Sequence, residues 1–446
     1  MRIRLFVLIP LFFVISLSGK AQVKINFTEY DLNNGLHVIL HQDKTAPIVA
    51  ISVLYHVGSK NEQKGKTGFA HFLERLMFAG TKDIKPGQYY ELVRDAGGEL
   101  NANTSQDRTI FYEVLPSNQL DLGLWLESER MQYLKIDSSS VETTRKIIQQ
   151  ERMRRFTNQP YGDVLQQIFK HSYKVYPYGW VPLEPAQYVD HASIDEIKNF
   201  YNTYYVPNNA TLSIAGNIDI DQTKKLVNEY FENIPKGANE IIRPSAVEPI
   251  QNKEIIDTVY ESVKFPAVIE AYHIPAFTNK EFFSIYMIAN LLSSGKDSGL
   301  YKSLVEDRHL AQQVEAYSFG LEAPGLFVTL GVANKDVDPN VLEIALNKDM
   351  DKIKNQLISK GELQELKNLI ASRFVDANSS QAGLAENLAE FHALYGNTDL
   401  INTNLQSYLS ITPKDIKNAA EKFLQKNNRV VLYYLPVSSQ SNMGGN

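Results

Sequence analysis

The 446-residue sequence contains no cysteine. That excludes a disulfide framework, a thiolate metal site and a cysteine nucleophile. No serine stands in a Gly-x-Ser-x-Gly setting, so serine hydrolysis has no support. After the first 21 residues no apolar run is long enough to cross a bilayer. An excess of positive charge is also missing. With 45 Lys and Arg against 51 Asp and Glu, the formal net charge is −6, which speaks against a nucleic-acid partner. What is present is 43% hydrophobic and 22% charged residues, in a length beyond one ordinary domain.

The chain opens on Arg2 and Arg4, runs through the apolar stretch Leu5 to Ser18, and then places Gly19 and Ala21 before Gln22. This pattern predicts a signal peptide over residues 1–21, and an exported, soluble product that is periplasmic or secreted. A membrane anchor is the alternative, but the run is short for a span and Pro10 interrupts it. Cleavage would remove three positive charges (Arg2, Arg4 and Lys20) and no acidic ones, taking the formal charge from −6 to −9.

Alternation of apolar and polar residues around Asn33-Asn34-Gly35 predicts a hairpin, followed by a strand over Ile48 to Tyr55. Helices are expected near Gln88–Ala96, Leu120–Leu134, Val141–Arg155 and Gln222–Phe231, with two strands between Glu99 and Pro116. Ser193 with Glu196 three residues on reads as a capping box opening another helix, and Ala210 to Ala215 as a strand. Prolines and scattered charges from Pro235 to Asn252 break any period and mark a linker. The pattern then begins again. Ser193-Ile-Asp-Glu-Ile-Lys-Asn aligns with Thr412-Pro-Lys-Asp-Ile-Lys-Asn, Tyr90-Glu-Leu-Val-Arg-Asp with Lys302-Ser-Leu-Val-Glu-Asp, and Leu54-Tyr-His with Ala271-Tyr-His. Three matches in one order at nearly one offset predict an internal duplication. The expected fold is α+β: two homologous domains, 24–236 and 250–440, joined by a linker at 237–249, each an antiparallel-rich sheet covered by helices.

Chemistry concentrates in Gly68-Phe-Ala-His-Phe-Leu-Glu-Arg-Leu-Met-Phe-Ala-Gly80. Phe69, Phe72, Leu73, Leu76 and Met77 have helical spacing, and His71, Glu74 and Arg75 then share one side. A bare His-x-x-Glu also suits a helix-surface ion pair. The apolar setting makes that less natural. Two further stretches accompany it, Asn101-Ala-Asn-Thr-Ser-Gln-Asp-Arg-Thr-Ile-Phe-Tyr112 and Gln149-Gln-Glu-Arg152.

Together these residues resemble the pitrilysin/insulinase family of inverted zincins, especially its processing-peptidase-like bacterial branch. The family motif is His-x-x-Glu-His with a further glutamate some seventy-five residues on; here 75 residues, 76 to 150, separate Arg75 from Glu151. The resemblance extends through the duplication, Tyr204-Tyr-Val-Pro-Asn-Asn-Ala210 and Ala215-Gly-Asn217. It implies a zinc site with His71 and Glu151 as ligands, Glu74 as general base, and a fold forming half of a clamshell chamber. The third ligand position holds Arg75, which has no lone pair to give a metal. The resemblance also implies that a peptide substrate adds as an extra strand along Asn101 to Tyr112, with Asn101, Ala102 and Thr104 matching the binding edge.

In the family a second element, an arginine and a tyrosine, grips substrate across the chamber. The matching stretch, Leu304 to Gln312, has Val305 and Gln312 in those places, and Arg308 is out of register. In two-subunit members the chain with the zinc motif pairs with one carrying the arginine and tyrosine. A second homologous subunit is therefore expected here. Two functions follow: a peptide-binding subunit with lost or weakened zinc catalysis, or an active zinc endopeptidase that tolerates Arg75. On the first, Arg75 pairs with Glu151 in place of a metal, and a protonated His71 cancels the remaining negative charge. His37, His41 and His56 sit on expected strands without a carboxylate at ligand spacing and His171 in a polar segment among tyrosines, so all four read as structural or surface histidines.

Overall fold

The computed structural model describes residues 24–295 and 299–437, so the expected signal peptide lies outside the described residues. The Asn33–Gly35 turn joins β1 (Thr28–Asp31) to β2 (His37–Gln42) as an antiparallel hairpin. Gly35 takes φ +88°, where a Cβ would lie 2.8 Å from Cβ of Asn208, so only glycine suits the turn. β3 (Ile48–Tyr55), β4 (Glu99–Thr104), β5 (Thr109–Pro116) and β6 (Ala210–Gly216) complete a six-stranded sheet of order β1-β2-β6-β3-β5-β4. Among the described residues β4 is an edge, paired with β5 alone.

The second sheet is built the same way. β7 (Ile255–Glu261), β8 (Ala267–Ile274), β9 (Ala311–Phe319), β10 (Gly325–Ala333) and β11 (Arg429–Pro436) run in the order β7-β11-β8-β10-β9. In each sheet the last strand returns to the middle, parallel to one neighbour and antiparallel to the other. The registers repeat as well: one shift of 218 residues carries the pair Ile51↔Ile214 onto Ile269↔Leu432. The fold is α+β with an internal duplication, as the repeated motifs predict.

In the first half the helices are α1 (Phe69–Leu76), α2 (Gln88–Asp95), α3 (Leu120–Gln132), α4 (Ser138–Arg152), α5 (Val164–Ser172), α6 (Ile194–Tyr204) and α7 (Ile220–Phe231). In the second they are α8 (Lys280–Ser293), α9 (Pro339–Asn355), α10 (Lys360–Ala377), α11 (Gln381–Tyr395), α12 (Leu400–Leu409) and α13 (Pro413–Phe423). The capping box of α6, Ser193 with Glu196, has its counterpart at α13 in Thr412 with Asp415. α1 ends at Leu76, short of Gly80, and α4 starts at Ser138 on an Asp137 cap and gives way after Arg152 to a π-helical turn over Met153–Thr157.

Central strands apolar on both faces need a cover on each side. β3 is buried from Val49 to Tyr55, and its second cover comes from the other half of the chain. Leu384, Ala385 and Leu388 of α11 pack on Ile39, Ala50 and Ala215 of the first sheet. Reciprocally, Val164, Ile168 and Phe169 of α5 pack on Ala267, Ile269, Val430 and Leu432 of the second. Each half thus lends a helix to the other's sheet. Fully burying a leucine-sized side chain is worth about 1.5–3 kcal/mol, so each exchange joins the halves strongly. No helix or strand lies between α7 and β7. That segment is nonetheless fastened: Glu248 accepts the backbone N–H groups of Lys174, Val175 and Tyr176.

Candidate functional site

α1 is held at its start by two devices. Gly68 takes φ +96° and would, with a Cβ, place it 2.7 Å from Val189 Cγ1. The cap comes from Glu62, whose carboxylate accepts the N–H of Gly68 (2.8 Å) and of Ala70 (2.9 Å). Negative charge suits a helix N-terminus. Burial outweighs these bonds and pushes the Glu62 carboxyl up to about 8. α4 is anchored at its end by Arg152, which donates to Asp190 (2.6 Å) and Gln187 (3.0 Å), in the same loop that crowds Gly68. The two helices cross with His71, Glu74 and Arg75 of the first facing Glu151 of the second.

Arg75 grips Glu151 with two parallel bonds, Nη2 to Oε1 at 2.5 Å and Nε to Oε2 at 3.2 Å. Its Nη1 lies 3.2 Å from Glu74 Oε1, and His71 Nε2 lies 3.6 Å from Glu151 Oε2. Thr104 Oγ1, on β4, donates to Glu74 Oε2 at 2.6 Å. The structure therefore brings together His71, Glu74, Arg75, Glu151 and Thr104. Asn101 lies farther along the same edge strand; its Oδ1 accepts the N–H of Ala102 (2.9 Å), and it stands opposite Tyr112 on β5. Among the described residues the outer side of β4 has no partner strand.

Burial raises the pKa of Glu74, against the pull of Arg75 and Thr104. For Arg75 burial works against the charge, but Glu74 and Glu151 more than offset it and raise its pKa. His71 is the correction. Burial, only partly opposed by Glu151, lowers it to about 4, so it is neutral at pH 7 and does not cancel the negative charge of the cluster. A catalytic zinc takes three protein ligands and leaves one position open. At the three ligand positions only His71 and Glu151 carry lone pairs, and the guanidinium occupies both oxygens of Glu151. Arranged in this way the donor set does not fit that ion.

Two cavities meet at Glu151. One of about 630 Å³ is lined by Arg75, Phe78, Tyr90, Ile147, Glu151 and Arg154. The other, about 770 Å³, is lined by Glu151, Arg154, Arg155 and Tyr161 and reaches Glu315 and Tyr317 on β9 of the second half. Val305 packs against the second-half core, and Gln312 is spent on the carbonyl of Ala333 (3.0 Å). Arg308 donates to Ser303 and Asp349. None of the three supplies the missing arginine and tyrosine. Sequence reasoning missed Glu62, whose signal is weak because the cap sits seven residues ahead of the helix. The partners of three histidines were also out of its reach: His56 lies 2.8 Å from Glu322, His171 2.9 Å from Asp257 and His37 2.7 Å from Asp31, carboxylates met across strands or across halves.

Residues 37–180 match a sequence model described as Insulinase (Peptidase family M16), and residues 191–370 one described as Peptidase M16 inactive domain. The zinc protease PqqE of Helicobacter pylori is 28% identical over 412 residues, which cover 91% of this chain and 92% of that protein. The crystal structure of a protease from Helicobacter pylori matches with a TM-score of 0.88 at 27% identity, over 92% of this chain and all of the other. The periplasmic protease PqqL from Escherichia coli shares the fold with a TM-score of 0.74 at 18% identity. The match covers 95% of this chain but 49% of PqqL, so the present fold makes up about half of that protein.

Proposed function

The chain belongs to the insulinase family of metallopeptidases, peptidase family M16, and from that premise we propose that it is an exported peptide-binding subunit whose zinc catalysis is lost or weakened. The observation that carries this reading is the two-point ion pair between Arg75 and Glu151. It supplies a fixed cation where the family uses a metal, and it balances one of two carboxylates that would otherwise share a buried site. The substrate side is intact. An extended peptide can add to the free edge of β4 through main-chain hydrogen bonds, with Asn101, Ala102 and Thr104 beside it and the two cavities at Glu151 open to its side chains. The arginine and tyrosine would come from a second homologous subunit closing over that edge. The half-length match to PqqL supports such a pairing, and its periplasmic location supports export.

A second reading is favoured by the zinc protease relative and by the presence of His71, Glu74 and Glu151. It is an active zinc endopeptidase with Glu74 as general base. Metal analysis of the purified mature chain beside its His71→Ala variant, together with binding and cleavage of a fluorescent peptide library, separates the two. The first reading expects peptide binding without zinc at the Arg75–Glu151 centre and without cleavage. Cleavage that is abolished by Glu74→Gln would establish the second.

A further inference from the structure

We infer that Glu29, His37 and His392 form a separate binding site for a zinc-class divalent cation, which fastens the first hairpin to the helix lent by the second half. The three residues come together by register. Asp31 pairs with His37 and Glu29 with Ile39, so Glu29, Asp31, His37 and Ile39 share one face of the β1–β2 hairpin. Ile39 packs against Leu384 and Leu388 of α11, and His392 follows Leu388 one turn later on that helix. One ligand atom from each of Glu29, His37 and His392 lies within 4.8 Å of the others.

The surroundings prepare these groups as ligands. His37 Nδ1 lies 2.7 Å from Asp31 Oδ1. A carboxylate accepts only, so Nδ1 bears a proton, and in the neutral ring Nε2 then presents a lone pair. That lone pair lies 3.4 Å from Glu29 Oε2. Thr398, itself buried, donates its hydroxyl to the same oxygen at 2.5 Å. Hydrogen-bonded carboxylates behind a ligating histidine, and hydrogen bonds to a ligating carboxylate, are the usual supports of a metal site. The 3.4 Å separation is also the edge of a tetrahedron with arms of about 2.1 Å, the bond length of zinc to imidazole or carboxylate.

A second proton on His37 would bridge Asp31, His37 and Glu29 without a metal, but it leaves His392 unexplained. Among the described residues the ring nitrogens of His392 have no hydrogen bond. The ring lies flat on His37, centroids 3.3 Å apart and planes 6° from parallel. Parallel rings cannot both aim in-plane lone pairs at one ion, so ligation requires His392 to turn about its Cβ–Cγ bond. The stack opposes that turn. Two imidazoles and a carboxylate, with a fourth position left to water, form a donor set that zinc accepts.

Titration of the full mature chain with Co²⁺, followed by its visible bands, tests the inference, with Zn²⁺ displacement and thermal melts alongside. We expect one ion with the strong bands of four-coordinate cobalt, displaced by zinc, and a zinc-dependent rise in melting temperature. His37→Ala and His392→Phe should weaken binding more than tenfold, and Asp31→Asn about 10–100-fold as a supporting residue. His392→Phe keeps the stacked ring and its packing, so lost binding in a normally folded variant is lost ligation. His71→Ala should leave this binding unchanged, which separates the site from the α1–α4 centre. Absence of four-coordinate bands, binding indifferent to His37 and His392, or binding abolished by His71→Ala would each overturn it.

Discussion

The duplication sets two helix crossings side by side. In the first half α1 meets α4 and the contact is polar: His71, Glu74 and Arg75 against Glu151. In the second half α8 occupies the same place in the element order and lies against α10, and there the contact is mostly apolar, with one polar bond from Arg373 to Asn290. Ile285, Ile288 and Leu292 of α8 and Leu363, Leu366 and Ile370 of α10 are buried in one cluster. A cavity of about 560 Å³ beside them is lined by Leu291, Leu292, Leu366 and Leu369, with Asn290, Glu362 and Glu365 at its margin. One scaffold therefore carries an ion-paired centre in one copy and a hydrophobic seam in the other. The fold supplies the crossing; the side chains at a few positions decide whether it can do chemistry.

The comparison breaks most visibly at Arg75. Arg75→His should supply a third lone pair, admit one further zinc per chain at the α1–α4 centre and raise peptidase activity by orders of magnitude, read by metal analysis and peptide cleavage. A variant that binds zinc and still cleaves nothing would assign the missing activity to Val305 and Gln312 instead. Next in size is Ile288→Ala on the apolar side. It should cost about 2–5 kcal/mol in denaturant unfolding and leave peptide binding unchanged, because it opens a cavity in the second-half core, on a helix that lines neither cavity at Glu151. Arg75→Ala should cost about 2–3 kcal/mol, since Glu74 and Glu151 lose their cation in a site still partly open to water. Arg75→Ala paired with Glu151→Ala in a double-mutant cycle isolates the coupling.

The smallest effect concerns the two caps. α8 is capped by Asn279, which does not titrate, whereas α1 is capped by Glu62. Burial raises Glu62 to about 8, above its ordinary value of about 4.5, so between those pH values the folded chain holds a proton that the unfolded chain has lost. Its contribution is fully present below pH ~4.5 and is lost as pH rises toward 8, by less than ~1.4 kcal/mol per pH unit. Glu62→Gln should flatten that slope in unfolding measured from pH 5 to 8. A slope unchanged in the variant would place the titration elsewhere.

Much of this was legible in the residues. Helical spacing exposed α1 and the sharing of one side by His71, Glu74 and Arg75, because that is local geometry. The Asn33–Gly35 turn exposed the first hairpin, and matched caps at Ser193 and Thr412 exposed the duplication. What escaped depends on contacts distant in sequence. α5 was not among the expected helices, since the surface it covers lies about a hundred residues later, at Ala267 and Ile269. The charge state of His71 follows from burial, which no local pattern reports. The carboxylates of His37 became visible only through the strand register. α1 ends at Leu76 rather than Gly80, although Met77 continues the apolar spacing.

The exchange of α5 and α11 bears on how the chain can be cut and how it is made. When the first 236 residues have been synthesised, the outer face of their sheet has no cover, because Leu384, Ala385 and Leu388 do not yet exist. The N-terminal half must therefore wait, with Ile39, Ala50 and Ala215 uncovered, until the C-terminus arrives. For the same reason a nick in the segment between α7 and β7 would not free two particles. The fragments would stay clasped through each other's helices, as a two-piece protein whose halves complement one another without a covalent bond.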